Sequence, residues 1–89
     1  MATMRRALTT ITPRQLEVLS FLARRDHWSV REIASALSVS SAAATKAVAR
    51  LERKGMVTRS VDIIDRRYVN VRITRSGSEV MRQVAKEVE

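Results

Sequence analysis

From Asp62 to Arg67 the sequence reads DIIDRR, which places two carboxylates and two adjacent guanidiniums at one short turn. Such groups can pair among themselves, as Asp62, Asp65 and Arg66 could with Arg59 in a surface ion-pair cluster, or leave cationic charge for an external anion. Catalysis fits poorly, because no histidine-carboxylate-nucleophile set, pair of neighbouring acids in a cleft or phosphate-cradling glycine loop accompanies them. His27 is the single histidine and there is no cysteine, so a thiolate metal site and a disulfide framework are both excluded. The chain is read as a binding protein, not an enzyme, with no metal and no cofactor.

The cations are concentrated. From Lys46 to Arg75 nine cations stand against three anions, which supplies six of the net charge of +8, while the last fourteen residues are slightly acidic. An excess of this kind in one region calls for a polyanionic partner. No apolar run approaches the roughly 18 residues of a membrane helix. The opening MATMRRALTTIT has two arginines with no apolar segment behind them, so a cytoplasmic protein with no membrane partner is expected.

A chain of 89 residues has material for one small domain around a single core. The elements that must position the charged turn are legible from their start and stop signals. Thr12, Pro13 and Gln15 make a complete helix start, with Ile11 and Leu16 as a hydrophobic staple, and predict a helix over 13–25. Its apolar face is read as Leu16, Leu19, Leu22 and Ala23, widened by Val18 and Phe21. Ser29 and Glu32 repeat the capping box for a second helix over 30–37, with Trp28 and Ile33 as its staple and Ile33, Ala34 and Leu37 inward. After the break SVSS a third helix, 41–54, starts at Ser40. Its buried stripe is Ala44, Ala47, Val48 and Leu51, and Gly55 ends it with Met56 folded back on Leu51.

Beyond Gly55 the apolar period changes to two. Val57, Val61 and Ile63, then Val69, Val71 and Ile73, alternate with polar residues, which predicts a hairpin over 57–73 with a tip near 64–67. Thr74 caps a last helix, 75–88, with a stripe of Val80, Met81, Val84 and Val88. The expected fold is mainly α with a small β-hairpin, a winged helix-turn-helix.

In that architecture the outward residues of the third helix are Ser41, Ala42, Ala43, Thr45, Lys46, Ala49, Arg50 and Arg53. Ser41 and Thr45 can address base edges, Ala42 and Ala43 thymine methyls, Lys46 and Arg50 guanine or phosphate, and the later Arg53 phosphate. The alanines also have a plainer explanation as strong helix formers. The helix start at Ser40, with Ser29 and Arg31 before it, could hold a phosphate through backbone N–H groups, or the serines could simply be caps.

Four pieces then fall together in order: LERKG over 51–55, Arg59, DIIDRR over 62–67 and ITRSG over 73–77. With the helix-turn-helix before them they resemble the DNA-binding core of the MarR family of bacterial transcription regulators, over about two-thirds of the chain. The resemblance implies sequence-specific double-stranded DNA binding. The third helix would lie in the major groove and the wing 62–68 in the minor groove, where Asp65 would orient either Arg66 or Arg67. Family members carry further helices that build a two-fold dimer and an effector pocket, and this chain has little material for either. A homodimer through Val80, Val84 and Val88, with Met4, Leu8 and Ile11, is expected, against the alternative that this stripe packs on the first helix; no effector is implied. Gly77 fits the family pattern but weakens a helix, so a close neighbour is expected there. The competing readings are a winged-helix module for protein partners, using Ile63 and Ile64, and a nonspecific nucleic-acid coat.

Overall fold

The capping signals form as hydrogen bonds. Thr12 Oγ1 accepts the N–H of Gln15 at 3.1 Å and Gln15 Oε1 accepts that of Thr12 at 3.4 Å, which starts α1 (Pro13–Leu22). Ser29 and Glu32 exchange the same pair of bonds, at 3.1 and 2.9 Å, and start α2 (Val30–Leu37). Ser40 Oγ accepts the N–H of Ala43 at 3.1 Å at the head of α3 (Ser41–Arg53). The computed structural model describes residues 11–25 and 27–88, with side chains through Lys86.

Both helix-turn junctions use a left-handed residue. At the end of α3, Gly55 has φ of +76°, Gly55 N donates to Glu52 O at 2.9 Å and Met56 N donates to Leu51 O at 3.0 Å. That is the Schellman arrangement expected from LERKG. Between α2 and α3 the same pair of bonds closes around Ser38, a non-glycine residue at φ 56°.

α1 is shorter than its apolar pattern suggests, ending at Leu22 and not at Arg25. Arg24 N turns to Phe21 O, and Arg25 leaves the helix to stack on the Trp28 ring at 3.8 Å and to pair with Glu32 at the start of α2. Its buried face is also rotated. Gln15, Val18, Leu19 and Leu22 are buried, Leu16 is half-buried and Ala23 is exposed. Gln15 belongs to that face because its Oε1 accepts a bond from Lys54 Nζ at 2.8 Å, so the buried amide is satisfied.

The sheet has three strands, one more than the hairpin. β1 (Trp28–Ser29) pairs antiparallel with β3 (Val69–Ile73), which pairs on its other side with β2 (Val57–Val61). A two-residue strand carries no period, so its pairing partner across forty residues of chain leaves no local trace. Trp28 therefore sits on the sheet, edge-on to Phe21 at 5.4 Å, and packs against the core that holds Ile33.

α4 (Arg75–Val88) returns across α1. Val18, Leu19, Leu22, Ile33, Val48, Leu51, Val57, Val71 and Val80 are fully buried in one core, and the stripe Ala44, Ala47, Val48 and Leu51 of α3 lies within it as expected. Val80 is 2% exposed and Val84 packs half-buried on the same core, so this stripe faces the chain's own body and Val80 is not an interface residue. Ile11 packs there too; Met4, Leu8 and the side chain of Val88 lie outside the described residues. Among the described residues no helix is long and apolar enough to cross a membrane.

The start of α4 is pinned to the end of α3. Thr74 Oγ1 donates to Gly55 O at 2.7 Å and accepts from Gly77 N at 3.2 Å, while Thr74 N donates to Met56 O at 2.9 Å. A Cβ at Gly77 would lie 2.3 Å from Met56 O, which is the close neighbour that a glycine in a helix suggests.

Candidate nucleic-acid interface

The tip between β2 and β3 spans 62–68 and is longer than the turn its alternation suggests, because β2 ends at Val61 and Asp62 begins a new hydrogen-bonded structure. Asp62 Oδ1 accepts the N–H groups of Ile64 at 2.9 Å and Asp65 at 3.0 Å, and its Oδ2 accepts from Asn70 Nδ2 at 3.1 Å. Asp62 N donates to Tyr68 O and Tyr68 N to Asp65 O, which close the tip from below. The bonds to the Asp65 amide, Asn70 and the Ile64 amide hold the Asp62 carboxyl below the ordinary carboxylate range.

Asp65 selects between the two arginines. Its Oδ1 accepts from Arg67 Nε at 3.0 Å and its Oδ2 from Arg67 Nη2 at 2.8 Å, a bidentate pair, and Oδ1 also takes the Arg67 N–H at 3.1 Å. The side-chain bonds from Arg67 lower the Asp65 pKa, and in return the Arg67 guanidinium is held more firmly charged. The Arg67 side chain is 79% exposed against 30% for Asp65, so the guanidinium is posed with one edge free. Arg66 is exposed and makes no ion pair with the described residues. A general cluster of Asp62, Asp65, Arg59 and Arg66 therefore does not form: Arg59 turns away to Glu52 on α3 at 2.8 Å.

α2, α3 and the wing meet around one cleft of 350 Å³, lined by Arg31, Ser41, Thr45, Arg59, Arg67 and Val69 among others. Arg31 also lies over the Tyr68 ring at 5.6 Å, so α2 supports the base of the wing. On the other flank of α3, a second cleft of 270 Å³ is bordered by Arg14 of α1 with Ala43, Lys46 and Arg50. Between these flanks Ser41, Ala42, Thr45, Lys46, Arg50 and Arg53 are exposed, and Ala43 and Ala49 are half-buried.

Two of the expected contact serines are caps. Ser29 is 6% exposed, with both its Oγ and its N–H used by Glu32, which removes it from the exposed set. Ser40 keeps an exposed hydroxyl, although its oxygen accepts the Ala43 amide. Arg14 was not predicted, because only packing brings α1 beside α3. Arg59 stood in the motif, but its role as a strut needed the Glu52 distance. Among the described residues no cluster of acidic and histidine side chains could hold a metal.

The sequence pattern that defines the MarR family matches residues 11–69. The chain belongs to the MarR family. It is 36% identical over 83 residues to an uncharacterised helix-turn-helix regulator, YdgJ, of Bacillus subtilis, covering 93% of this chain and 51% of that one. It is likewise 36% identical to the Bacillus subtilis repressor MdtR, over 75% of this chain and 43% of that one. The chain thus spans about half the length of these relatives. Among solved structures, a complex of Staphylococcus aureus MepR with DNA superposes with a TM-score of 0.84 at 25% identity, over 96% of this chain and 69% of that one. A mutant of MarR from E. coli complexed with operator DNA superposes with a TM-score of 0.77 at 32% identity, over 84% and 54% of the two chains.

Proposed function

We propose that this MarR-family chain is a transcription regulator that binds double-stranded DNA in a sequence-specific manner, with α3 in a major groove and residues 62–68 in the adjacent minor groove. The observation that carries the reading is the convergence of Ser41 and Thr45 of α3 with the Asp65-posed Arg67 on one cleft. A helix about 10–12 Å across matches the major groove, and a narrow minor groove concentrates negative potential that rewards a preorganised guanidinium.

In this arrangement Ser41, Ala42 and Thr45 face base edges, while Lys46, Arg50, Arg53 and Ser40 serve the phosphates with Arg31. Ala43, half-buried, contributes less. Asp65 is a positioning residue, Arg67 enters the groove and Arg66 lies along its rim. The MepR and MarR neighbours, solved with DNA, support DNA as the partner of this fold. One module of this size buries little surface, so a two-fold dimer in the bacterial cytoplasm completes the reading, through surfaces other than Val80.

The test is duplex affinity as a function of salt, together with selection of bound duplexes from a random pool. A Kd that weakens steeply from about 50 to 200 mM salt, and a palindromic consensus, are expected. Undetectable or salt-insensitive binding would reject the reading, and equal affinity for scrambled duplexes would reduce it to nonspecific coating.

A further inference from the structure

Ile63 and Ile64 are 95% and 96% exposed, and both sit at the wing tip. The tip is built to present them. The Asp62 carboxylate accepts from the Ile64 and Asp65 amides and that of Asp65 from Arg67, so both carboxylates of the turn are satisfied within it. What remains exposed on the tip is a pair of branched aliphatic side chains and the guanidiniums of Arg66 and Arg67.

We infer that Ile63 and Ile64 form an apolar wedge that seats in the DNA minor groove beside Arg67, packed against its deoxyribose walls. The inference rests on the DNA-binding reading above and adds to it a contact that is not electrostatic. A groove about 6 Å wide admits one hairpin tip, its walls are the aliphatic edges of sugar rings, and branched side chains serve as wedges in minor-groove proteins. The position of the pair matters as well. Its neighbour Arg67 lines the cleft that α3 shares, and both carboxylates of the tip are engaged by donors within it, Asp62 by the turn amides and Asp65 by Arg67. A protein partner fits less well, because a specific interface takes about 800 Å² per side and Val61, at 56%, is the only other exposed large hydrophobic residue among those described.

The experiment compares wild type, Ile63→Ser/Ile64→Ser and Arg67→Ala on a duplex recovered by wild-type selection from a random pool, with hydroxyl-radical cleavage as a readout of minor-groove sugars. The double variant is expected to raise Kd about tenfold with the salt slope unchanged, since no charge is removed. Protection of sugars flanking the α3 contact should fade, and the melting temperature should hold. Ile63→Val/Ile64→Val should retain most of the affinity. By contrast Arg67→Ala should flatten the slope. A double variant with wild-type affinity and wild-type protection overturns the wedge while leaving DNA binding intact. So does one whose only change is in self-association. If the wild type binds no duplex, the wedge falls together with the DNA-binding reading.

Discussion

Arg59 on β2 reaches Glu52 near the end of α3, with Nε and Nη2 2.9 and 2.8 Å from the same carboxylate oxygen, and so ties the wing to the helix it flanks. Both side chains are more than a third exposed, and such a pair is worth at most about 1 kcal/mol in stability. On the proposed reading, in which α3 and the wing contact one duplex, its expected importance is the angle it sets between them. Glu52→Gln is expected to leave the melting temperature nearly unchanged and to raise affinity for arbitrary DNA by removing a negative charge. It should also narrow the ratio of selected to scrambled duplex binding several-fold. Titrations of both duplexes check this; an unchanged ratio would show that the strut sets nothing.

Asp65 offers a test in which positioning and net charge have opposite signs. Replacing it with Asn makes the chain more positive, which by long-range electrostatics strengthens DNA binding. Loss of the bidentate hold on Arg67 acts against that, and Asp65→Asn is expected to weaken the selected duplex several-fold while nonspecific binding rises. Arg67→Ala should weaken it further and reduce the salt slope by about one. Stronger binding to both duplexes by Asp65→Asn would show that Arg67 needs no holding.

At the start of α4, Gly77→Ala should destabilise the fold by about 1–3 kcal/mol, the usual cost of overpacking. The group in the way is the Met56 carbonyl, 2.3 Å from the added Cβ, and it is fixed by its bond from Thr74 N. Helix propensity alone predicts the reverse sign, since alanine is the better helix former. Denaturant unfolding of the variant decides between the two.

Ser38 invites the opposite change. It adopts φ 56° between α2 and α3, a conformation that costs an L-residue roughly 1–2 kcal/mol and glycine little. Ser38→Gly should keep the two closing bonds and gain a few tenths to about 1 kcal/mol after the added unfolded-state entropy, which raises the melting temperature by a few degrees. A lower melting temperature would mean that chain entropy outweighs the relieved strain.

Acid should loosen the wing and the head of α2. Glu32 is held below the ordinary carboxylate range by the Ser29 amide and Arg25, Asp62 by the tip amides and Asn70, and Asp65 by Arg67. A depressed folded pKa gives stability that is present above the unfolded value and lost as pH falls through the folded one. Melting temperatures should therefore be level from about pH 7 to 5 and decline below about pH 4. Asp62→Asn keeps an oxygen acceptor for the turn amides but does not titrate, so its decline should be shallower. An identical acid profile for this variant would remove Asp62 from the account.

The amino-acid sequence by itself determined what depends on neighbours within a turn or two. Thr12, Ser29, Ser40 and Gly55 set the helix ends, the stripe from Ala44 to Leu51 set the buried side of α3, and the change of period after Gly55 set the wing. These features are legible because a cap, a 3.6-residue period and a two-residue period each involve groups a few residues apart. Tertiary structure decided the rest. The pairing of Trp28 with Val71, the burial of Gln15 against Lys54, the inward turn of Val80 and the Arg59–Glu52 strut all join residues that local spacing does not connect. The choice of Arg67 over Arg66 is the instructive case, because both follow Asp65 within two residues and Arg66 is the nearer in the chain. Only the tip folded around Asp62 brings the Arg67 guanidinium edge-on to that carboxylate, and a bidentate ion pair depends on this orientation as well as on distance.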